Sequence, residues 1–423
     1  MKRILCLVLC VLLLLSGCTA GTKDNMTDPT GTTAGETTVN TETSANVADS
    51  DTTGSTEGDD EWEEVYEEFD GSGNSSDSQG GTSSSSSGSD AKPETQGSGE
   101  ITGDGTIHYY FMAGEGQIFS NGDYCTKWGD SCLIVFPNGQ TMLIDTGMQK
   151  YYPSLKQKLH SLGVYDLDYL VLSHPHDDHC GGIWAGLFKD FKIGQVYHNG
   201  VINSGWGASA HVETICEKNN VPCGVLKKGD TLKIGSGSGV VTIRVLWPTE
   251  EAKNVYGKMK GSGPINCQSL VMRFDFGEHS SLFTGDLYKT YKGVSEADEQ
   301  TNGYQISGQA GAEEWIASVY TNGELDVDLL KMPHHGDPST SNSAEFFAAT
   351  TPKLAIATGF LPVESGYLSV YKSRGYSGPV LFDRKYGYIH VYATADGTMK
   401  YDTSRSDYLP DYGRTWNTAL ERK

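Results

Sequence analysis

From Ile107 onward, apolar runs of strand length alternate with segments in which apolar residues recur every three or four positions. The short runs, bounded by Gly, Asn and Asp, are typical of strands, and the spaced segments are typical of helices. Pro137-Asn138-Gly139 separates two strand-like runs and predicts a hairpin turn. The predicted strands are Ile107–Met112, Ser131–Phe136, Gln140–Ile144, Leu167–Leu172, Lys192–Tyr197, Val240–Leu246, Ser269–Phe276, Ser280–Thr284, Val327–Met332, Lys353–Thr358, Val380–Asp383, Tyr388–Ala393 and Met399–Tyr401. The predicted helices are Tyr152–Leu162, Gly181–Asp190, Ala208–Lys218, Gly311–Val319, Ser343–Ala349 and Leu368–Gly375.

Strands and helices interleave along this whole region, which favours an α/β fold. Short turns join several of the strand pairs, so part of each sheet must be antiparallel. We therefore expect two mixed sheets covered by helices, in one folded domain that spans residues 106–423.

The first eighteen residues, Met1–Cys18, have the pattern of a secretory signal. Two basic residues precede an apolar stretch, Ile4–Leu15, that is too short for a comfortable membrane span. Its end, Leu15-Ser16-Gly17-Cys18, resembles the bacterial lipobox, which implies cleavage before Cys18 and lipid modification of its thiol. We expect a mature protein anchored through Cys18 to the outer face of the bacterial cell membrane.

Residues 19–105 differ from the rest of the chain in composition. They are dominated by Ser, Thr, Gly, Asp and Glu, which predicts a disordered tether. This segment has twenty acidic and two basic residues, a net charge of −18 out of −22 for the chain. With the +2 of the signal, residues 106–423 are left at −6. The acidity therefore belongs to the tether, and the domain has no dense basic stripe that would favour duplex nucleic acid. No segment predicts a protein partner.

Six cysteines remain in the folded domain once Cys6, Cys10 and Cys18 are assigned to the signal and the anchor. Outside the cytoplasm such residues can pair as disulfides. The local candidates are Cys125 with Cys132 and Cys216 with Cys223, and the sequence does not choose among the pairings.

A concentration of ionisable residues follows the predicted strand Leu167–Leu172. The segment Ser173-His174-Pro175-His176-Asp177-Asp178-His179 contains three imidazoles and two carboxylates, which a protein core would not tolerate unpaired. Neutral imidazole and carboxylate are the ligands that divalent zinc, manganese or iron prefers. In an extended segment His174 and His176 project to one side and can share an ion. Asp178 and His179 lie where the chain turns into a helix, so they can face a second ion.

These residues match the HxHxDH signature of the metallo-β-lactamase superfamily, which the chain resembles over Ile107 to Tyr401. The resemblance implies an αββα four-layer sandwich of two mixed sheets flanked by helices. It rests on three further elements. They are the strand-ending aspartate motif Leu143-Ile144-Asp145-Thr146-Gly147, the later Gly-Asp element Phe283-Thr284-Gly285-Asp286, and Leu330-Lys331-Met332-Pro333-His334-His335-Gly336, which resembles the "PHHG" element of the competence-protein ComEC-like branch.

The resemblance also implies a ligand set for two divalent ions, with zinc expected and manganese as the alternative. His174 and His176 would belong to the first ion. Asp178, His179 and His334 would belong to the second, and Asp286 would lie between the two. Asp145 is expected to orient the ligands, as carboxylates behind metal-binding residues do. His335 either takes the place of His334 as a ligand or donates a proton beside it.

One stretch departs from the family pattern. Many members have another metal-binding histidine shortly before the Gly-Asp element, whereas Gly261–Ser269 has none and carries Asn266 instead. An Asn- and Ser-containing segment here resembles the ComEC-like branch, and it weakens the first metal site. His198 follows His179 too closely to be a convincing substitute, and we expect it to line the pocket or to be structural.

The function that follows is a metal-dependent hydrolase, in which a metal-activated hydroxide attacks phosphorus or a carbonyl carbon and Asp178 orients it. A tether facing the cell wall favours a surface phosphodiester of the choline-phosphate type as the substrate. The alternatives are an extracellular DNA-degrading nuclease of ComEC-like type, a β-lactam hydrolase, which the "PHHG" element disfavours, and a module that binds metal and a wall polymer without turnover.

Overall fold

The computed structural model describes residues 102–112, 129–202, 212–259, 261–289, 311–358 and 365–404. The predicted signal, nearly all of the predicted tether, and Cys125 lie outside these ranges. Within them, no helix is both long enough and apolar enough to pass through a bilayer.

The strands and helices follow the predicted alternation. The strands are β1 (Ile107–Phe111), β2 (Cys132–Val135), β3 (Thr141–Ile144), β4 (Asp166–Leu172), β5 (Lys192–His198), β6 (Cys223–Val225), β7 (Thr231–Ile234), β8 (Val241–Trp247), β9 (Val271–Phe276), β10 (His279–Phe283), β11 (Leu329–Lys331), β12 (Leu354–Ala357), β13 (Val380–Phe382), β14 (Ile389–Ala393) and β15 (Met399–Thr403). The α-helices are α1 (Tyr152–Ser161), α2 (Asp177–Ala185), α3 (Leu187–Asp190), α4 (Val212–Lys218), α5 (Glu250–Tyr256), α6 (Ser262–Asn266), α7 (Ala312–Val319), α8 (Ala344–Thr350), α9 (Ser365–Ser373) and α10 (Asp383–Tyr386).

The strands form two mixed sheets. The first sheet has the order β15-β14-β1-β2-β3-β4-β5-β6, and the second has the order β13-β12-β11-β10-β9-β8-β7. In the first sheet the pairs from β15 to β3 are antiparallel and those from β3 to β6 are parallel. In the second sheet the pairs from β7 to β10 are antiparallel and those from β10 to β13 are parallel. The predicted α/β class with two mixed sheets is confirmed.

Apolar side chains on both faces of each sheet build four layers. Along β2, Cys132 and Ile134 face the cluster between the sheets, whereas Leu133 and Val135 face a second cluster that includes residues of α1, α2 and α4. A third cluster covers the outer face of the second sheet with residues of α5, α7 and α8. A sheet that is buried on both faces needs apolar residues at successive positions, which explains the continuous apolar runs in the sequence.

The structure corrects one local prediction and adds short elements. The helix predicted over Gly181–Asp190 begins earlier, at Asp177, and is broken into α2 and α3 at Gly186, whose φ is +113°. Glycine adopts this left-handed conformation without the steric cost that a Cβ would bring, so it ends the helix. The short elements β6, β7, α5 and α6 were not predicted. They have three to seven residues each, too few for a periodic pattern to stand out.

Candidate metal centre

The predicted site residues lie at the ends of four strands. Asp145 follows β3, the His174–His176 segment follows β4, and Asp286 follows β10. His334 and His335 lie in a short 3-10 helix after β11. Since β3 is parallel to β4, and β10 is parallel to β11, the carboxyl ends of each pair lie at the same edge of their sheet. The two sheets thus bring residues more than a hundred positions apart into one cluster.

Oδ2 of Asp286 is at the middle of that cluster. It lies 3.1 Å from Nε2 of His179 and 3.3 Å from Nε2 of His335. Nε2 of His174 and Nε2 of His334 are farther, at 3.8 and 3.9 Å. His176 joins through its Nδ1, 3.0 Å from Nε2 of His174. Asp178 joins through its Oδ2, 3.2 Å from Nε2 of His335. The structure therefore brings together all seven residues of the predicted set, while their roles as ligands stay a prediction.

Asp145 holds the imidazoles of the first segment in one orientation. Its Oδ2 lies 2.8 Å from Nδ1 of His179 and accepts a 2.6 Å hydrogen bond from the Ser173 hydroxyl. Because that hydroxyl donates its only hydrogen to Asp145, it must accept from Nδ1 of His174, at 3.0 Å. Both histidines therefore carry a hydrogen on Nδ1 and direct Nε2 toward Asp286.

His334 has an equivalent support on the other sheet. Oγ1 of Thr340 donates to Oδ2 of Asp337 at 2.9 Å, so this Thr340 oxygen accepts from Nδ1 of His334 at 2.6 Å. This chain fixes the His334 tautomer with the lone pair of Nε2 toward Asp286. His335 differs from it, because its Nε2 lies between the carboxylates of Asp178 and Asp286 and carries a hydrogen there.

Asp130 and Lys331 belong to the cluster and were not predicted. Asp130 precedes β2, and its carboxylate forms an ion pair with the ammonium of Lys331, the last residue of β11. Lys331 also donates to the carbonyl oxygen of Gly285 at 3.0 Å and lies 3.8 Å from Oδ1 of Asp286. One ligand atom each from Asp130, His179, Asp286 and His335 lie within 4.8 Å of one another. The sequence signal for Lys331 was its place in the quoted "PHHG" segment, and for Asp130 an acid directly before a buried strand.

The electrostatics of the site follow from burial and from these carboxylates. Burial lowers the pKa of His174 and of His176, so both are neutral near pH 7. Burial also disfavours a charge on His335, but Asp286 and Asp178 outweigh it and raise the pKa of His335 to about 10. The same carboxylates raise the pKa of His179 against the effect of burial. The cluster therefore attracts positive charge.

Backbone strain is concentrated at the site. Asp145, His334 and His335 have φ values of +58°, +44° and +56°, in the left-handed region that residues with a Cβ adopt at a cost. Hydrogen bonds hold these turns: Asn342 donates from Nδ2 to the carbonyl oxygen of Pro333 at 3.2 Å, and the Tyr371 hydroxyl donates to that of Gly336. The fold thus imposes conformations that aim these side chains inward.

The donor set fits divalent metal ions. Oδ1 of Asp286 is buried and has no hydrogen-bond partner among the described residues, and Nε2 of His179 is buried against Oδ2 of the same carboxylate. Imidazole nitrogen and carboxylate oxygen are the ligands of zinc and manganese sites. An ion would satisfy these atoms, whose burial is otherwise costly.

Two other residues considered from the sequence lie differently. Asn266 is buried at the end of α6, and its amide hydrogen-bonds with Tyr288, whose ring centroid lies 4.8 Å from that of His334. His198 is not among the residues around Asp286; its Nε2 lies 3.3 Å from Glu213. The Asn266 segment is nevertheless joined to the site, since the Ser269 hydroxyl accepts a hydrogen bond from the Asp286 amide at 3.0 Å.

The sequence and this architecture identify the family. The model of the metallo-beta-lactamase superfamily matches residues 126–344, just over half of the chain, and includes every residue of the cluster. The chain belongs to the metallo-β-lactamase superfamily.

Two curated relatives support the competence-protein branch. The chain is 28% identical over 248 residues to ComE operon protein 3 of Bacillus subtilis, covering 54% of this chain and 26% of the relative. It is 28% identical over 241 residues to competence protein ComA of Neisseria gonorrhoeae, covering 57% of this chain and 26% of the relative. The match thus spans about a quarter of each relative. Among solved structures, the metallo-beta-lactamase fold protein YhfI of Bacillus subtilis is 16% identical with a TM-score of 0.38, covering 66% of this chain and 96% of that one.

Proposed function

We propose that this chain is a metal-dependent phosphodiesterase that acts on a phosphodiester at the cell surface. The observation that carries the proposal is the convergence of the imidazoles of His174, His179, His334 and His335 on one oxygen of Asp286. A pair of divalent ions held by such residues supplies Lewis acidity and lowers the pKa of water. A tetrahedral phosphodiester, with two oxygens to be held and one to leave, suits this chemistry.

The residues of the chain have distinct parts in this proposal. His174, His176, Asp178, His179, His334 and Asp286 would hold the ions. Asp145 keeps His179 in the tautomer that leaves Nε2 available. His335 keeps a hydrogen on Nε2 beside Asp178, which places a proton donor at the edge of the donor cluster for the leaving oxygen.

Two features support a surface substrate of the choline-phosphate type. The proposed lipid anchor at Cys18 and the acidic tether would hold the domain outside the cell, near wall polymers. The folded domain has a net charge of −6, which gives a polyanion such as duplex DNA little attraction. Replacing Cys18 with Ser should release the protein from the membrane fraction; retention there would contradict the anchor.

DNA is the second candidate, because two of the relatives are competence-type proteins. The test is a panel with the metal-loaded full-length protein: bis-p-nitrophenyl phosphate, a choline-phosphate ester, single-stranded DNA and a β-lactam. We expect turnover of the first two and its loss in His176→Ala and Asp286→Ala. Asp168→Asn is the matched control, since Asp168 accepts from the Thr141 amide on β3, away from the cluster.

Each outcome has a definite meaning. If the protein hydrolyses DNA and does not hydrolyse the choline-phosphate ester, it is a nuclease and the proposed surface substrate is wrong. Metal bound without turnover of any member of the panel would contradict the enzyme and favour the wall-polymer module. Full activity of Asp286→Ala would contradict the site.

A further inference from the structure

Two cysteines at the edge of the first sheet are brought together by a tight turn. Cys216 lies in α4, and Cys223 begins β6. Between them, the Val221 amide donates to the carbonyl oxygen of Cys216 at 2.9 Å, and Asn220 has a φ of +54°. This left-handed helix end reverses the chain. The two sulfur atoms are consequently in hydrogen-bond contact, and both remain thiols in this structure.

A buried imidazole completes the cluster. Cys223 pairs with Val196 of β5, so His198, two residues further along that strand, lies on the same face of the sheet. The Gly200 amide donates to Nδ1 of His198 at 3.2 Å, which leaves the hydrogen of the neutral ring on Nε2. The His198 side chain contacts Cys223, and its buried Nε2 lies 3.3 Å from Oε1 of Glu213.

The two sulfur atoms differ in reactivity. The hydrogen bond from Cys216 and the contact with His198 lower the pKa of Cys223, although burial and the Glu213 carboxylate oppose this. Cys223 is half-buried, so a reagent can approach it, whereas Cys216 is buried. The other described cysteines, Cys132, Cys180 and Cys267, are buried, and burial raises the pKa of each.

We propose that Cys223 and Cys216 are a redox-active pair, with Cys223 as the attacking thiolate and Cys216 as the resolving thiol. The oxidant is a small external disulfide. The Cys223 thiolate attacks one of its sulfur atoms, forms a mixed disulfide and expels one thiolate. Cys216 loses its proton and attacks the sulfur of Cys223, which expels the second thiolate and closes the Cys216–Cys223 bond. Two protein thiols are oxidised, the external disulfide is reduced to two thiols, and the two protons end on them.

Oxidation at this place would tie α4 covalently to the edge strand β6. The same edge leads toward the metal centre, because Asn199, next to His198, donates from Nδ2 to the carbonyl oxygen of Gln268 at 2.9 Å. Gln268 adjoins Ser269, which accepts from the amide of Asp286. The pair itself does not depend on the proposed hydrolysis, since none of its atoms belongs to the metal cluster.

The first experiment measures thiol reactivity in the reduced full-length protein by iodoacetamide labelling and peptide mapping. At a pH of about 6, an ordinary thiol is almost fully protonated, so we expect Cys223 to be alkylated roughly ten-fold faster than an unfolded Cys223 peptide. His198→Gln should remove part of that advantage at this pH but not at alkaline pH, where every exposed thiol ionises. A Cys223 that reacts no faster than the peptide would overturn the proposal.

The second experiment oxidises the protein with oxidised glutathione. The wild-type chain should lose two hydrogens and yield a peptide pair cross-linked through Cys216 and Cys223. Cys216→Ser should instead keep one glutathione on Cys223, because the resolving thiol is absent. The proposal is wrong if Cys216 and Cys223 both remain thiols after this treatment, or if glutathione persists on Cys223 of the wild type. Cys267→Ser is the matched control and should leave both results unchanged.

Discussion

Nδ1 of His179 donates to Oδ2 of Asp145 across 2.8 Å, and this contact joins the first turn of α2 to the end of β3. Both side chains are buried, so no water competes for the bond. The contact sets the tautomer of His179, and through the Ser173 hydroxyl it also sets that of His174. A residue outside the expected ligand set therefore controls two of its members.

Replacing Asp145 with Asn should weaken metal binding about 10- to 100-fold, because a neutral amide orients and polarises imidazole less well than a carboxylate. Competition with a chromogenic chelator measures the affinity. The control is Asp168→Asn. Asp168 lies on β4, its carboxylate accepts from the Thr141 amide, and the variant should bind metal as the wild type does. An unchanged affinity in Asp145→Asn would remove this role.

The histidine pair can be separated by metal content. His334→Ala should lose one ion, because the Thr340–Asp337 chain presents its Nε2 as an acceptor. His335→Ala should keep the metal and lose turnover. Elemental analysis and rate measurements on the same samples distinguish the two. If His335→Ala loses the ion instead, His335 is the ligand. Its ring nitrogen lies within 4.8 Å of ligand atoms of Asp130, His179 and Asp286, so that outcome is compatible with the geometry.

The ion pair of Asp130 and Lys331 should be strongly coupled. Lys331→Met leaves a buried carboxylate without its counter-charge, and we expect a loss of about 3–5 kcal/mol in the free energy of unfolding. The double variant with Asp130→Asn should recover part of that loss. Urea unfolding of the two single variants and the double variant, all metal-free, measures the three losses. Additive losses would show that the two side chains do not depend on each other.

Helix α2 packs closely against the backbone around Met148 and Gln149, so a methyl group at Gly181 should destabilise the fold. A Cβ there would lie 2.1 Å from the backbone nitrogen of Gln149 and 2.7 Å from the carbonyl carbon of Met148. Gly181→Ala should therefore cost about 1–3 kcal/mol in stability. Gly366→Ala, in α9 with no atom within 4 Å of the new Cβ, should change stability by less than about 1 kcal/mol. Equal thermal denaturation midpoints for the two variants would contradict the close packing.

Metal binding should release protons. The raised pKa values of His179 and His335 mean that both rings are protonated in the metal-free protein near pH 7. A cation must displace a proton from any ring that it binds, so its affinity should rise with pH and fall as the site is acidified. Calorimetry in buffers of different ionisation enthalpy counts the released protons. A heat of binding that is independent of the buffer would contradict this expectation.

The sequence predicted the class of fold because the apolar pattern along β2 and β4 is local, and each strand could be read from its own residues. That Asp145, Asp286 and the histidine pair belong together followed from the resemblance to the metallo-β-lactamase superfamily, because a single polar residue at a strand end has no distinctive local pattern. The helix break at Gly186 was not predicted, since a glycine within a helical pattern can either continue the helix or end it, and the local sequence does not distinguish the two.

Tertiary structure alone decided the rest. The sequence by itself determined the α/β alternation and the residue types of a metal centre, because spacing and side-chain chemistry are properties of short segments. It did not determine that Asp130 would meet Lys331, or that His198 would lie beside Cys223 instead of the metal residues. Those pairs depend on how strands are ordered in a sheet and how the two sheets face each other. Contacts between positions far apart in the chain have no signature in the local pattern, so only the assembled fold brings them together.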